Sequence, residues 1–269
     1  MTEPRILLTG LAFGESPRWH DGRLWLSNWG TQQVVALDPG GNSEVVARIP
    51  TTFPFSIDWR PDGRLLVVSG QEALLLRREP DGSLVTHADL SGIDDVFNEI
   101  VVDGRGNAYV NSGSAVALVP GDGPPRPVAG GLSFGNGMAV TPDNSTLIVA
   151  ESHGNRLTAF DIAADGSLSG QRVWAGLDGF PDGICLDAEG AIWYGDVPGR
   201  CCVRVREGGE VLQKIELDRG CFACMLGGAD GTTLFMLVAE WHGMEHMTGE
   251  ARTGRVLTAR APAPGAGWP

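Results

Sequence analysis

The 269-residue chain is short of positive charge, of paired cysteines and of long apolar runs, and each shortage argues against a class of function. Lysine and arginine total 20 against 33 aspartates and glutamates, a formal charge of −13, and no basic run could track phosphates. Nucleic acid and anionic membrane are therefore poor partners. No uninterrupted apolar stretch is long enough to cross a bilayer, and the start, Met1-Thr-Glu-Pro-Arg5, lacks the basic region, apolar core and small-residue cleavage site of a leader. This reads as a cytoplasmic protein. Five cysteines, with Cys201 and Cys202 adjacent, make a poor disulfide framework. Zinc would need two C-x-x-C spacings, and only Cys221-Phe-Ala-Cys224 occurs, so the thiols read as small core residues. Glycine-rich phosphate loops and a G-x-S-x-G elbow are missing, which argues against nucleotide chemistry and a serine hydrolase.

What the chain does contain is one sentence repeated. Gly183 to Gly190 followed by Ala191 to Asp196 reads as an apolar strand, a tight turn and a second apolar strand. The pattern recurs with its turn residue at 22, 63, 106, 144, 190 and 231, in steps of 41, 43, 38, 46 and 41. A period of this size made of strands and turns predicts the four-stranded blades of an all-β, six-bladed propeller. The last repeat lacks one strand, and Arg5–Thr9 is a spare one ahead of the first repeat. The N-terminal strand is therefore expected to complete the last blade, giving a single domain over 1–260 and a loose tail over 261–269.

The phase of the repeat locates a site. In a propeller the residue that opens each blade's innermost strand sits at one end of the central channel. Counting back eight residues from each turn, seven in the shorter first blade, lands on Glu15, Phe55, Asn98, Asn136, Asp182 and Ala223. Four carry side-chain oxygens, from four blades, separated by 38 to 83 residues. Asn and Asp also favour such positions because they satisfy nearby backbone groups. Four in phase, with Glu15 having no such local reason, favour a ligand set for a hard divalent cation.

These residues resemble the six-bladed propellers of the gluconolactonase, senescence-marker (regucalcin) and luciferin-regenerating enzyme family. Gly14-Glu-Ser-Pro17 is similar to the family's opening Glu-Gly-Pro, Phe97-Asn-Glu99 to its Phe-Asn-Asp, Gly135-Asn-Gly137 to its Asn-Gly and Pro181-Asp-Gly183 to its Pro-Asp-Gly. The resemblance implies that Glu15, Asn136 and Asp182 hold the metal, that Asn98 contacts substrate beside it, and that Asp182 is the base that activates water. Calcium is the first expectation for the cation, with zinc, manganese or magnesium suited to the same open oxygen site. The implied activity is metal-assisted hydrolysis of a small-molecule lactone or ester. Two departures stand out: Ser16 replaces a glycine, and Val96 replaces an arginine that binds sugar hydroxyls in the sugar-lactone members.

Seven phenylalanines lie within two residues of a strand-opening position: Phe13, Phe53, Phe55, Phe97, Phe134, Phe180 and Phe222. They either wedge adjacent blades or, with Trp29, His153, Trp241 and His242 from the neighbouring connections, wall the mouth of an apolar pocket. With Val96, the second reading predicts a relatively apolar substrate. A non-hydrolytic enzyme or a binding protein for an apolar natural product would use the same mouth, because propellers host many functions. His242-Gly-Met-Glu-His246 fits a zinc pattern that needs a helix, and Gly243 argues against one, so it reads as chance or as histidines at the mouth.

Overall fold

The computed structural model describes residues 3–51, 53–243 and 252–269, so His246 lies outside the described residues. The chain folds as an all-β six-bladed propeller with no α-helix among the described residues. Its innermost strands are β2 (Gly14–His20), β6 (Phe55–Trp59), β10 (Phe97–Val102), β14 (Gly135–Val140), β18 (Pro181–Leu186) and β22 (Gly220–Gly227). Each packs on the next, and β22 packs on β2 to close the ring.

Strand burial follows from this stacking. Blades are covered on both faces, so inner strands such as Leu65–Ser69 and Ile192–Asp196 are wholly buried and read as apolar runs. The outer strand Val211–Glu216 faces water and is mostly polar or exposed. The turn residues that define the repeat share one conformation: Gly22, Gly63, Gly106, Asn144, Gly190 and Gly231 all have positive φ, between 57° and 86°. Glycine and asparagine adopt this left-handed region most readily, which explains why the repeat is marked by these two residue types.

Ring closure occurs as the repeat count requires. Strand β1 (Arg5–Leu11) pairs antiparallel with β24 (Gly254–Arg260), from Arg5 opposite Thr258 to Leu11 opposite Gly254. The last blade thus takes its outer strand from the other end of the chain, and no inner edge is left open. Blades five and six meet over an apolar interface that includes Cys185, Cys202, Cys221 and Cys224. All five cysteines are free thiols, and burial pushes those of Cys185, Cys202 and Cys224 well up, as expected of inert core residues.

Residues 261–269 are not the loose tail that their proline and alanine content suggests. They cross the end of the channel where the inner strands finish, over a cavity of about 480 Å³. Ala188 donates to the Pro264 carbonyl, Gly265 to Gly231, Ala266 to Leu186, and Val140 and Trp268 exchange a pair of backbone bonds. Tight backbone approach explains the glycine at 267, where φ is +74° and a Cβ would stand 2.2 Å from the Val140 carbonyl oxygen. The tail therefore ties blade six to blades five and four. Truncation after Ala261 is expected to leave a folded β protein whose Tm is lower by roughly 5 °C or more, at about 2–4 °C per kcal/mol of lost bonding. Thermal melts followed by circular dichroism measure this, and an unchanged Tm would mean that the tail contributes nothing.

Candidate active site

In five of the six inner strands the opening end is where the ladder is irregular. Bulges interrupt β2 between Glu15 and Arg18, β10 between Phe97 and Ile100, β14 between Gly135 and Met138, and β18 between Pro181 and Ile184. A bulge re-aims side chains that a regular strand would send into the sheet faces. Asn98, Asn136 and Asp182 accordingly share one pattern, a half-buried residue between two buried neighbours. Strand β6 has no bulge; it runs in register from Phe55 opposite Ser69 to Trp59 opposite Leu65, and it offers no polar side chain at this position.

Glycine after the polar residue brings the strands together. A Cβ on Gly137 would stand 2.5 Å from the Ile184 amide nitrogen, and one on Gly183 would stand 2.5 Å from the Ala223 Cβ. The Asn-Gly and Asp-Gly pairs thus let β14, β18 and β22 touch immediately below the side chains they present.

The four phased residues form one connected group. Asn98 Nδ2 donates to Asn136 Oδ1 at 3.2 Å, and Asn136 Nδ2 donates to Ser152 Oγ at 3.3 Å. The Asn136 amide also favours the charged form of the Asp182 carboxylate, and the Asp182 charge raises the proton affinity of Glu15. Ser152 Oγ donates to the Pro181 carbonyl at 2.7 Å, and Asn111 donates to the Asn136 carbonyl, so neighbouring blades brace one another.

Sequence reasoning did not assign a role to Glu99, Ser16 or Arg18, which form the floor of this group. Glu99 Oε1 accepts from Ser16 Oγ at 3.1 Å, from Arg18 Nη2 at 3.0 Å and from the Ile100 amide at 2.9 Å. Arg18 also lies 3.7 Å from Asp58 on the opposite side, so its guanidinium separates the candidate site from the cavity at the far end. Burial raises Asp58 to about 6, against the opposing pull of Arg18 and two backbone amides. The available signal was that Glu99 and Ser16 directly follow two of the phased residues.

Charge at the axis is out of balance. Burial pushes the Glu15 carboxyl well above the usual range, with further upward shifts from Asp182 and Glu99; the Ser16 amide and Arg18 oppose them. Burial also pushes Asp182 well up, followed by the Glu99 charge; the Asn136 hydrogen bond opposes this, and Asp196 adds to it. Arg18, the cation facing Glu15 among these influences, is already engaged by Glu99 and Asp58. Among the described residues no group of three or more His, Cys, Asp or Glu is arranged to hold a metal ion. Glu15 and Asp182 become a four-oxygen set only by recruiting the Asn98 and Asn136 amides. That mixture of hard donors, with surplus negative charge, fits a divalent cation of the calcium type.

The aromatic residues divide between the two roles open to them. Phe55 and Phe97 are completely buried and Phe13 nearly so, which removes them from the wall of a substrate pocket and makes them wedges in the interior. Phe13 stacks on Trp29 at 5.5 Å and meets Phe222 edge-on at 4.5 Å, and this cluster continues to Phe53 and Trp241. Trp29 is half-buried, with its indole N–H donating to the Phe55 carbonyl. Phe134 and Phe180 are each 45% exposed, Trp241 is 43% and Val96 is 40%. Exposed His153 stacks on Phe134 at 4.6 Å, and exposed His242 lies 3.2 Å from the Glu240 carboxylate.

Comparison with known proteins agrees with this architecture. Residues 13–240 match the family described as the SMP-30/gluconolactonase/LRE-like region. The chain is 24% identical to pentonolactonase XacC of Haloferax volcanii, over 89% of this chain and 86% of that protein. A solved luciferin-regenerating enzyme superposes with a TM-score of 0.82 at 16% identity, covering 98% of this chain and 97% of the other. A calcium-binding protein, regucalcin, from Agrobacterium tumefaciens gives 0.80 at 20% identity, covering 98% and 94%. With the family match spanning most of the ring, and the ring built as these relatives build theirs, the chain belongs to the SMP-30/gluconolactonase/LRE-like family.

Proposed function

We propose that this protein is a divalent-cation-dependent lactone hydrolase acting on a relatively apolar substrate. The observation that carries the reading is the meeting of Glu15, Asn98, Asn136 and Asp182 from four blades, with more negative charge than the chain itself balances. The relatives' names point the same way: one is a pentonolactonase and one a calcium-binding protein.

A bound divalent cation would polarise the lactone carbonyl and stabilise the charge that develops on its oxygen. Glu15, Asn136 and Asp182 would hold it, calcium being favoured by the hard amide and carboxylate donors. Asn98 stands beside them, half-buried and hydrogen-bonded to Asn136, and there it orients the substrate ring. Asp182 is half-buried, so it can meet both the cation and a water entering from the mouth. A carboxylate whose proton affinity is raised by burial accepts the proton of that water, and the water adds to the carbonyl carbon. The proton is then available to the departing ring oxygen, and the product is the hydroxy acid. Beneath, the Arg18–Glu99 pair closes the floor against water from the far cavity.

Specificity follows from the mouth. A sugar lactone would turn several hydroxyls toward exposed Val96, Phe134, Phe180 and Trp241. Each polar group left unpaired on burial costs on the order of 1–3 kcal/mol, enough to shift preference by one or two powers of ten.

Three outcomes check this reading. Asp182→Asn is expected to lower kcat/KM by roughly 10²–10⁴-fold on whichever lactone the wild type opens best, while chelation abolishes and calcium restores wild-type turnover. Near wild-type turnover in this variant would place the base elsewhere. An aliphatic or aromatic lactone should show a higher kcat/KM than glucono-1,5-lactone, and preference for the sugar lactone under calcium, zinc and manganese alike would contradict the substrate class. The third outcome concerns pH. Folded Glu15 and Asp182 keep protons that the unfolded chain releases, so the cation-free protein loses stability as pH rises from the ordinary carboxylate range toward neutrality. Asp182→Asn should flatten this decline in Tm measured in chelator between about pH 4.5 and 8. Parallel curves for wild type and variant would show that Asp182 carries no raised proton affinity.

A further inference from the structure

Ser16 stands in a backbone conformation that serine seldom adopts, with φ at +48°. It is almost wholly buried, at the floor of the site. A side chain retained in the left-handed region of a crowded channel calls for a compensating interaction, and Ser16 makes two. Its hydroxyl donates to Glu99 Oε1 on β10 at 3.1 Å and accepts from the Ile57 amide on β6 at 3.0 Å. Its own amide donates to Glu15 Oε2 at 3.0 Å.

One residue of blade one therefore touches blade two and blade three at the axis. Blade two is the blade whose inner strand lacks both a bulge and a polar strand-opening residue, so without Ser16 the buried Ile57 amide would lose this acceptor. Glu99 directly follows Asn98, and Ser16 directly follows Glu15. The hydroxyl bridge thus couples the backbone that carries Glu15 to the backbone that carries Asn98, across the ring.

We infer that Ser16 is a positioning residue: through its hydroxyl it fixes Glu15, a proposed cation ligand, relative to Asn98, the proposed substrate contact beside the cation. The inference rests on the reading given under Proposed function, and it adds a residue that touches neither the cation nor the substrate.

Glycine is the informative replacement. Ser16→Gly can keep φ at +48° and the amide bond to Glu15, and it removes the hydroxyl and Cβ alone. Ser16→Ala also loses the hydroxyl but keeps a Cβ in the left-handed region, so it separates loss of the bridge from gain of backbone freedom. Calcium titration by calorimetry and kcat/KM on the best lactone should both be measured, with Tm alongside. The expected result is a Ser16→Gly protein with Tm within a few degrees of wild type, a calcium Kd weaker by roughly tenfold or more, and a comparable loss in kcat/KM. Ser16→Ala should lose affinity to the same extent if it folds, and Ser16→Gly alone decides if it does not. Calcium affinity and kcat/KM within twofold of wild type in Ser16→Gly would overturn the inference and leave the lactonase reading standing. A wild type that neither binds calcium nor opens any lactone would overturn the function and the positioning role together.

Discussion

The structure depends on a concentration of like charge at the axis of a closed ring. Glu15, Asp182 and Glu99 come within electrostatic reach of one another, and burial adds to the cost of charging Glu15 and Asp182. Burying carboxylates together costs free energy, and a fold that served stability alone would place apolar or paired residues there. The surrounding architecture instead holds the charges in place: bulges aim them, and glycines after Asn136 and Asp182 let strands close beneath them. Arg18 neutralises the lower side, with Glu99 above it and Asp58 below.

Each end of the channel then has its own character. The opening end of the inner strands carries the oxygen-rich group and a partly exposed aromatic rim. The finishing end is crossed by residues 261–269, and Arg18 stands between the two. On the proposed reading, an apolar rim above Asp182 suits a ring ester, whose carbonyl seeks charge and whose substituents seek burial.

Much of this was legible in the sequence because the repeat is strict. Spacing between turn residues yields six blades, the missing strand identifies the N-terminus as the closing one, and the phase picks out Glu15, Asn98, Asn136 and Asp182 as one group. What could not be read has a physical cause in each instance. Phe55 occupies the same phase as the channel-facing residues and Phe97 stands next to one, but phase does not report which way a side chain turns at a bulge or at its absence; Phe55 lies on the unbulged strand and points inward to the core. Glu99 and Ser16 act on each other from blades one and three, and only the closed ring shows that these strands face each other across the axis. The tail looks loose by composition, yet its backbone finds partners on three blades, a feature that side-chain identity does not encode.

A cation site built from the negative charge at the axis would be held partly protonated until the ion arrives. Calorimetric titration of the wild-type chain with calcium, run near pH 6 in two buffers of different ionisation enthalpy, tests it most directly. One calcium per chain is expected to bind with net release of protons, because the cation opposes the raised proton affinity of Glu15 and Asp182. No binding by calcium or any of magnesium, manganese and zinc, or binding that releases no proton, would contradict it.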